Sequence, residues 1–426
     1  MPEYRNLPGT FDVLPPESAG WTSVLATFAK VVATAGYGLV ITPTFEELGV
    51  FQRLGESTDV VRKEMYDFKD KGGRHLALRP EVTASVVRAF IQHRPTLPWK
   101  TWYAAANFRY ERPQAGRQRE FHQLGVEALG ADDPDLDVEV VALGWDFYSA
   151  LGLSAVDLAI NSLGDAICRP GYRQLLFDYL SERKEDLCEE HRGRVEENPL
   201  RVLDCKRPAC VGVTAEAPRQ VDHLCGACRD HFARVQEGLE ALGVPYRVES
   251  ALVRGLDYYT RTTFEYAGRS LASAQNALGG GGRYDTLVAQ MGGPDTPAIG
   301  FALGIERIVM ALQAEQGRGR GSGTTLGAPC LDVFVVDLTD GSHARDLTHL
   351  LRRSGITADR AFGNRSAKSQ FKAADRSRAR LAVVVGPDEI DGAKAGIKDL
   401  SVAGAEQDTV SLADLVAELR RRLGKG

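Results

Sequence analysis

Polar and charged side chains gather in one stretch of this 426-residue chain, Leu252-Val253-Arg254-Gly255-Leu256-Asp257-Tyr258-Tyr259. The glycine run Gly279 to Gly282 and then Arg283-Tyr284-Asp285 follow it. An arginine, an aspartate and two adjacent tyrosines are poor core material, because buried charges and hydroxyls must be paired. Beside apolar residues they point to a lined pocket. The glycines either let backbone approach a ligand where a Cβ would collide or allow a loop to turn. A second grouping places Cys205 and Cys210 ahead of Cys225 and Cys228, a C-x4-C and C-x2-C arrangement able to close a tetrahedral thiolate zinc site. Its first half is wider than the common ribbon spacing, so free thiols are preferred to zinc. A third grouping is basic. Arg360, Arg365, Lys368, Lys372, Arg376, Arg378 and Arg380 are opposed only by Asp375, and they fit either a phosphate-following surface or a solvated helix face.

Composition narrows the classes of function. With 43% hydrophobic and 26% charged residues the chain reads as soluble and globular, and no apolar run reaches the eighteen or so residues that span a bilayer. The opening MPEYRNLPGTFDVLPPESAG lacks a basic start and an apolar centre, so no signal peptide is expected and the expected compartment is the cytoplasm. The net charge of −5 argues against non-specific coating of nucleic acid. Residues 331–426 nevertheless carry sixteen Lys and Arg against fourteen Asp and Glu, so the positive surplus sits at the C-terminal end. Seven cysteines are too few for a disulfide framework at this length.

The elements that must position these groups follow from period and punctuation. Pro15-Pro16-Glu17 opens a helix carrying Trp21, Leu25, Phe28 and Val32 and ending near Gly36, with a short strand at Leu39-Val40-Ile41. Strands around Met65–Phe68 and His75–Leu78 flank Lys71-Gly72-Gly73 as a hairpin, and a helix runs from Pro80 to about Gln92. Two long strands, Thr101–Tyr110 and Glu120–Leu129, are joined by a loop rich in arginine, including Arg112, Arg117 and Arg119. Hairpin-linked strands imply an antiparallel sheet. Residues 165–245 read as a charged helical insertion holding the cysteine quartet. Strands return at Tyr246–Leu252, Thr262–Tyr266 and Ile299–Ala302, and Gln316 to Gly323 has the composition of a linker. Beyond it, Leu331–Val336, a helix through His349–Leu351, Leu381–Val385 and a last helix from about Ser411 make a small α/β domain.

Several ordered segments resemble the histidyl-tRNA synthetase family of class II aminoacyl-tRNA synthetases. They are Leu78-Arg79-Pro80-Glu81-Val82-Thr83, Phe108-Arg109-Tyr110-Glu111-Arg112-Pro113 with Phe121-His122-Gln123 and Gly125-Val126-Glu127, then Gly279–Asp285, and Gly300-Phe301-Ala302-Leu303-Gly304-Ile305-Glu306-Arg307. The resemblance covers essentially the whole chain. It implies an α+β fold, with a class II antiparallel sheet flanked by helices over residues 1–320, the helical insertion at 165–245, and an anticodon-binding α/β domain at 331–426. It also implies a homodimer whose interface includes the segment near Pro43.

The implied activity is ATP-dependent attachment of L-histidine to its cognate tRNA through a histidyl-adenylate, in the cytoplasm, with Mg2+ accompanying ATP and no membrane partner. By the same resemblance Arg109 contacts the α-phosphate, Arg254 lies on its opposite side, and Arg307 meets the terminal phosphates. A guanidinium suits this because it bridges two phosphate oxygens at once. Glu81, Thr83 and Gln123 correspond to residues around the amino group of histidine, and Glu127, Tyr258 and Tyr259 to those near its imidazole. The rival reading is the non-catalytic, histidine-sensing regulatory subunit of ATP phosphoribosyltransferase, which usually lacks the C-terminal domain and parts of the arginine set.

Overall fold

The computed structural model describes residues 4–425 other than 53–60, 62, 194, 197, 204, 206, 254–257, 273–275, 319–330, 364 and 403, and describes 316–318 by backbone alone. The chain forms two compact units, the first built on residues 20–326 and the second on residues 327–426.

Among the described residues the first unit is organised by an eight-stranded sheet. Its members, in sheet order, are β1 (Gly38–Leu39), β5 (Trp99–Phe108), β6 (Glu120–Leu129), β11 (Ala298–Gly304), β10 (Ala277–Arg283), β9 (Thr260–Gly268), β7 (Val156–Ser162) and β8 (Arg247–Val248). The two edge strands pair in parallel and the six central ones are antiparallel throughout. The expected α+β architecture is therefore present. A smaller antiparallel sheet joins β2 (Phe45–Glu47), β4 (His75–Leu78) and β3 (Asp67–Lys69), the last two forming the expected hairpin, with Gly73 at φ 81° in its turn.

Helix Ser18–Thr34 presents Val24, Phe28 and Val32 to one face of the large sheet; of the residues read from sequence, Phe28 and Val32 are fully buried and Trp21 and Leu25 pack partly buried against the same core. Phe28 meets Phe147 edge-on at 5.0 Å between ring centroids and Phe301 at 6.2 Å, so helix and sheet lock through aromatic contacts. Helix Pro134–Ala150 starts where sequence chemistry dictates: Asp133 accepts the Asp135 amide at 2.9 Å and Pro134 takes the first turn. Helix Thr83–His93 lies on the other core, with Val86, Val87 and Phe90 buried beside Phe51, Tyr103 and Leu287.

Of the two readings of the glycine run the turning loop fails: Gly279 to Gly282 form the middle of β10, paired on both sides. A Cβ on Gly281 would stand 1.9 Å from the Gly300 carbonyl, and one on Gly282 2.6 Å from that of Thr262, so the strands approach too closely for any side chain. A glycine strand carries no alternating pattern, which is why sequence reading missed it. The cysteine quartet also does not assemble as one group. Cys205 and Cys210 lie with Cys188 and His191, whereas Cys225 and Cys228 lie with Asp165 and Cys168.

Between β7 and β8 the chain is helical, from Arg169–Glu182 to Gly226–Ala241, with short turns between. Helix Ile305–Arg318 takes in the first three residues of the stretch read as a linker; 319–323 lie outside the described residues. In the second unit, five strands run in the order β13 (Ala358–Arg360), β12 (Val333–Asp337), β14 (Leu381–Val385), β15 (Lys394–Asp399), β16 (Gln407–Ser411). The first three are parallel and the rest antiparallel, packed with helices Ser342–Arg353 and Leu415–Leu423. No described helix is long and apolar enough to cross a membrane.

Candidate active site

Strand pleating puts residues of equal parity on one face, and cross-strand register carries that face across the sheet. Glu127 faces Thr101 on one side and Gly300 on the other; Gly125 faces Tyr103 and Ala302; Gly300 and Ala302 in turn face Gly282 and Gly280. One face of three central strands is therefore nearly bare, floored by Gly125, Gly300, Ala302, Gly282 and Gly280. Polar residues stand at its margins. A Cβ on Gly300 would lie 1.9 Å from Glu127 Oε2, and one on Gly125 2.3 Å from the Tyr103 hydroxyl, so these side chains already lean over the floor.

At the Glu127 end two carboxylates are buried together. Glu81, just before helix Thr83–His93, accepts the backbone amides of Thr83 at 3.0 Å and Ala84 at 2.7 Å. Those amides have no partner within the helix, so Glu81 caps its first turn. Thr83 then donates its hydroxyl to Glu127 Oε1 at 2.7 Å, and Tyr284 donates to Oε2 at 2.6 Å. Desolvation dominates both acids. Burial lifts Glu127 to about 8, with the Glu81 charge adding and the two hydroxyls opposing. Burial also raises Glu81, held back by its bonds to Ala84 and Thr83 and by the Arg109 charge.

Tyr258 and Tyr259 are buried against this cluster, their rings 4.7 Å apart, with Tyr258 edge-on to Tyr284 at 5.8 Å. Gln123, two pleats from Glu127, accepts from Asn107 at 2.9 Å. Glu81, Thr83, Glu127, Tyr258 and Tyr259 thus gather around one end of the sheet, while Gln123 lies on the same face four residues earlier along β6. Two others were missed. Tyr284 was visible only as part of a motif, and Tyr103 sat unnoticed in a strand although its buried hydroxyl has no hydrogen-bond partner and faces both carboxylates. The signal for Tyr103 is its parity, since it lies opposite Gly125 and two residues from the partner of Glu127.

The arginines divide by environment. Arg109 leaves β5, donates to the Pro80 carbonyl at 3.0 Å and lies 5.1 Å over the Phe121 ring. Arg307 starts helix Ile305–Arg318 and donates to the carbonyls of Gly116 at 3.0 Å and Ala277 at 2.7 Å, which ties it to the tip of the arginine loop. Burial lowers its proton affinity and the Arg117 charge lowers it further, opposed by Glu111, Glu265 and Glu306. Arg112 and Arg117 are exposed, while Arg119 stacks 4.0 Å over Tyr110. Arg254 lies outside the described residues.

Arg283 has a different task. Fully buried, it donates to Asp137 at 2.8 Å, Asp285 at 3.0 Å and the carbonyls of Ala131 and Asp133, while Asp137 also meets His231 at 2.7 Å. Every arm is engaged, so this arginine ties β10 to two helices and has nothing left for a ligand. A separate cavity of about 40 Å3, lined by Asn161, Leu163, Arg169, Tyr172 and Gln220 among others, shares only Tyr259 with the acidic cluster.

In the second unit the basic cluster falls on helix Ala367–Ser377 and its flanks. Lys368, Lys372 and Arg376 recur every four residues along one exposed stripe, with Arg365, Arg378 and Arg380 exposed nearby and Arg360 lying 4.6 Å over the exposed ring of Phe362.

Known proteins give this geometry its kin. Residues 9–308 match the family model described as histidyl-tRNA synthetase, and residues 332–422 that described as anticodon binding domain. The chain is 46% identical to the histidine–tRNA ligase of Halothermothrix orenii over 97% of its length and 98% of that protein. To the histidine–tRNA ligase of Rhodococcus opacus it is 49% identical, over 98% of this chain and 97% of the other. The apo crystal structure of Staphylococcus aureus histidyl-tRNA synthetase superposes with a TM-score of 0.80 at 34% identity, covering 98% of this chain and all of that one. Family model, full-length identity and sheet architecture agree, and the chain belongs to the histidyl-tRNA synthetase family.

Proposed function

We propose that the glycine-floored end of the sheet binds L-histidine against Glu81 and Glu127 while Arg109, Arg254 and Arg307 hold ATP, so that the carboxylate of histidine attacks the α-phosphorus. The reaction that follows from family membership is ATP-dependent attachment of histidine to its tRNA through a histidyl-adenylate. The observation that carries the site assignment is the pair of buried carboxyl groups, joined through Thr83 and bonded at Glu127 to Tyr284, beside a glycine-floored sheet face, because it concentrates hydrogen-bonding groups away from water. Glu81 and Gln123 suit an ammonium, and Thr83 couples the two acids. Glu127, flanked by Tyr258 and Tyr259, suits an imidazole N–H within aromatic walls. A site built on such bonds rejects analogues lacking the group by about 10⁴–10⁵.

Phosphoryl transfer of this kind rests on positioning and charge stabilisation, which arginines supply. Arg109, anchored on Pro80 beside Glu81, would hold the α-phosphate next to the amino acid, with Arg254 opposite and Arg307 on the terminal phosphates. Magnesium enters with ATP and is held mainly by phosphate oxygens. The carboxylates of Glu111, Glu265 and Glu306, close enough for their charge to act on Arg307, are oxygen donors of the kind it takes. Residues 1–320 would then form the catalytic part with its insertion at 165–245, and residues 331–426 the part that reads the anticodon, its basic stripe meeting tRNA phosphates. Leu39, Ile41 and Phe45 around Pro43 are exposed, Ile41 at 85%, which supports a homodimer that covers them. The cytoplasm, where tRNA is charged, is the expected compartment. The regulatory-subunit reading is disfavoured, since Arg109 and Arg307 are in place and residues 332–422 match the anticodon-binding model. The test is charging of tRNA with labelled histidine by the purified chain. Charging is expected to need ATP and the second unit, and histidine binding without any charging would favour the sensor instead.

A further inference from the structure

The inserted segment between β7 and β8 is poorly equipped to hold its own shape. From Lys184 to His223 its helices run only three to eight residues, at Lys184–Asp186, Glu189–Arg192, Leu200–Leu203, Pro208–Ala215 and Gln220–His223, and no strand is assigned among its described residues. Its apolar core is small, with Leu187, Val195, Val202 and Leu203 set against Tyr172 and Leu176. A stretch of this size buries too little surface to offset the entropy of ordering it, and small units of this kind are commonly stapled by a metal.

Two groups of ligand atoms stand where such staples would be. In the first, the sulfurs of Cys188, Cys205 and Cys210 and a ring nitrogen of His191 all lie within 4.8 Å of one another. His191 Nδ1 is 3.1 Å from Cys188 Sγ and 3.8 Å from Cys210 Sγ. In the second, the same limit encloses the sulfurs of Cys168, Cys225 and Cys228 and a carboxylate oxygen of Asp165. Asp165 lies 3.5 Å from Cys168 Sγ and 3.8 Å from Cys225 Sγ. With Zn–S bonds of about 2.3 Å, neighbouring corners of a tetrahedral site are about 3.8 Å apart. The separations of 3.1–3.8 Å lie at or somewhat below that edge, and the other pairs fall within 4.8 Å. All six cysteines are free, and backbone amides already point at sulfur: Cys188 N–H donates to Cys210 Sγ and Asp165 N–H to Cys168 Sγ, each at 3.4 Å. Bonds of that kind stabilise a thiolate.

We propose that the insertion holds two structural zinc ions, one on Cys188, His191, Cys205 and Cys210 and one on Asp165, Cys168, Cys225 and Cys228. Each site joins two pairs that are short in sequence and distant along the chain, C-x2-H to C-x4-C and D-x2-C to C-x2-C. The first fastens the short helices to one another. The second clasps the base of the insertion, where the chain leaving β7 meets the start of helix Gly226–Ala241. There Gly164, at φ 65°, leaves room for Cys168, whose sulfur would lie 2.5 Å from an added Cβ. Loading either site releases three thiol protons to solvent as three Zn–S bonds form, and the zinc stays divalent.

The test is metal analysis of the full-length chain, reduced, reconstituted with zinc and freed of excess. Two equivalents are expected. Cys205→Ser and Cys225→Ser should each leave one, and the double variant none. Because such variants can fail to fold, the unaltered chain gives a second reading: removing zinc with a chelator should release two ions together with thiols that the loaded protein keeps from a thiol reagent. Fewer than two ions in the unaltered chain overturns the proposal. So does a chain that binds one ion in all and loses it in either single variant, because the four cysteines read together in the sequence would then share one metal.

Discussion

Glu127→Gln offers the sharpest perturbation of the site. In the folded chain burial raises this carboxyl from an ordinary 4.5 to about 8. Between those values the unfolded chain has given up the proton while the folded chain keeps it, so stability falls as pH rises. At about 1.4 kcal/mol per pH unit the loss comes to about 3 kcal/mol between pH 5 and 7.5. Glutamine accepts from Thr83 and donates nothing acidic, so the variant should lose that slope while keeping the fold. The assay is urea unfolding at several pH values followed by tryptophan fluorescence, which reports the first unit because Trp21, Trp99, Trp102 and Trp145 all lie within it. The same substitution should abolish histidine binding in calorimetry. The unaltered protein should also release a proton on binding near pH 7, as the carboxylate ionises to receive an imidazole N–H. An unchanged pH slope in the variant would refute the reasoning, since it would place the titration elsewhere.

Further outcomes follow from the same geometry. Gly300→Ala puts a Cβ 1.9 Å from Glu127 Oε2, so it should raise the KM for histidine while costing about 1–3 kcal/mol of stability, measured by pyrophosphate exchange and denaturation. Arg283→Met strands Asp137 beside His231 and should destabilise the first unit by about 3–5 kcal/mol; near-normal stability would contradict its structural role. Arg254→Ala should slow adenylate formation by about 10²–10³ with histidine affinity nearly kept, and single-turnover rates within a few-fold of the unaltered enzyme would exclude that role. Charge reversal of Arg376 and Arg378 should weaken tRNA binding, flatten its salt dependence and leave pyrophosphate exchange intact.

Much of this was legible in the chain because period and punctuation are local. Helix Ser18–Thr34, the hairpin of β3 and β4, and β6 with its exact bounds Glu120–Leu129 declare themselves through spacing and turn residues. The sheet's centre does not. β10 is built of glycine, which has neither alternation nor strand preference, and only its neighbours' carbonyls reveal why no side chain could stand there. Arg283 and Tyr284 are adjacent in sequence yet point to opposite faces, one into a structural ion network and the other onto Glu127. A motif cannot separate them, and the pleat does. Similarly, Cys205 and Cys225 share a pattern on paper and lie in different clusters, because Cys188, His191, Asp165 and Cys168 are close only once the chain has folded.

The central claim, that the acidic, glycine-floored end of the sheet selects histidine for activation, is tested most directly by ATP–pyrophosphate exchange in the presence of each amino acid. Exchange should depend on histidine alone and vanish in Glu127→Gln. Exchange stimulated by another amino acid, or retained at full rate in that variant, would contradict the assignment.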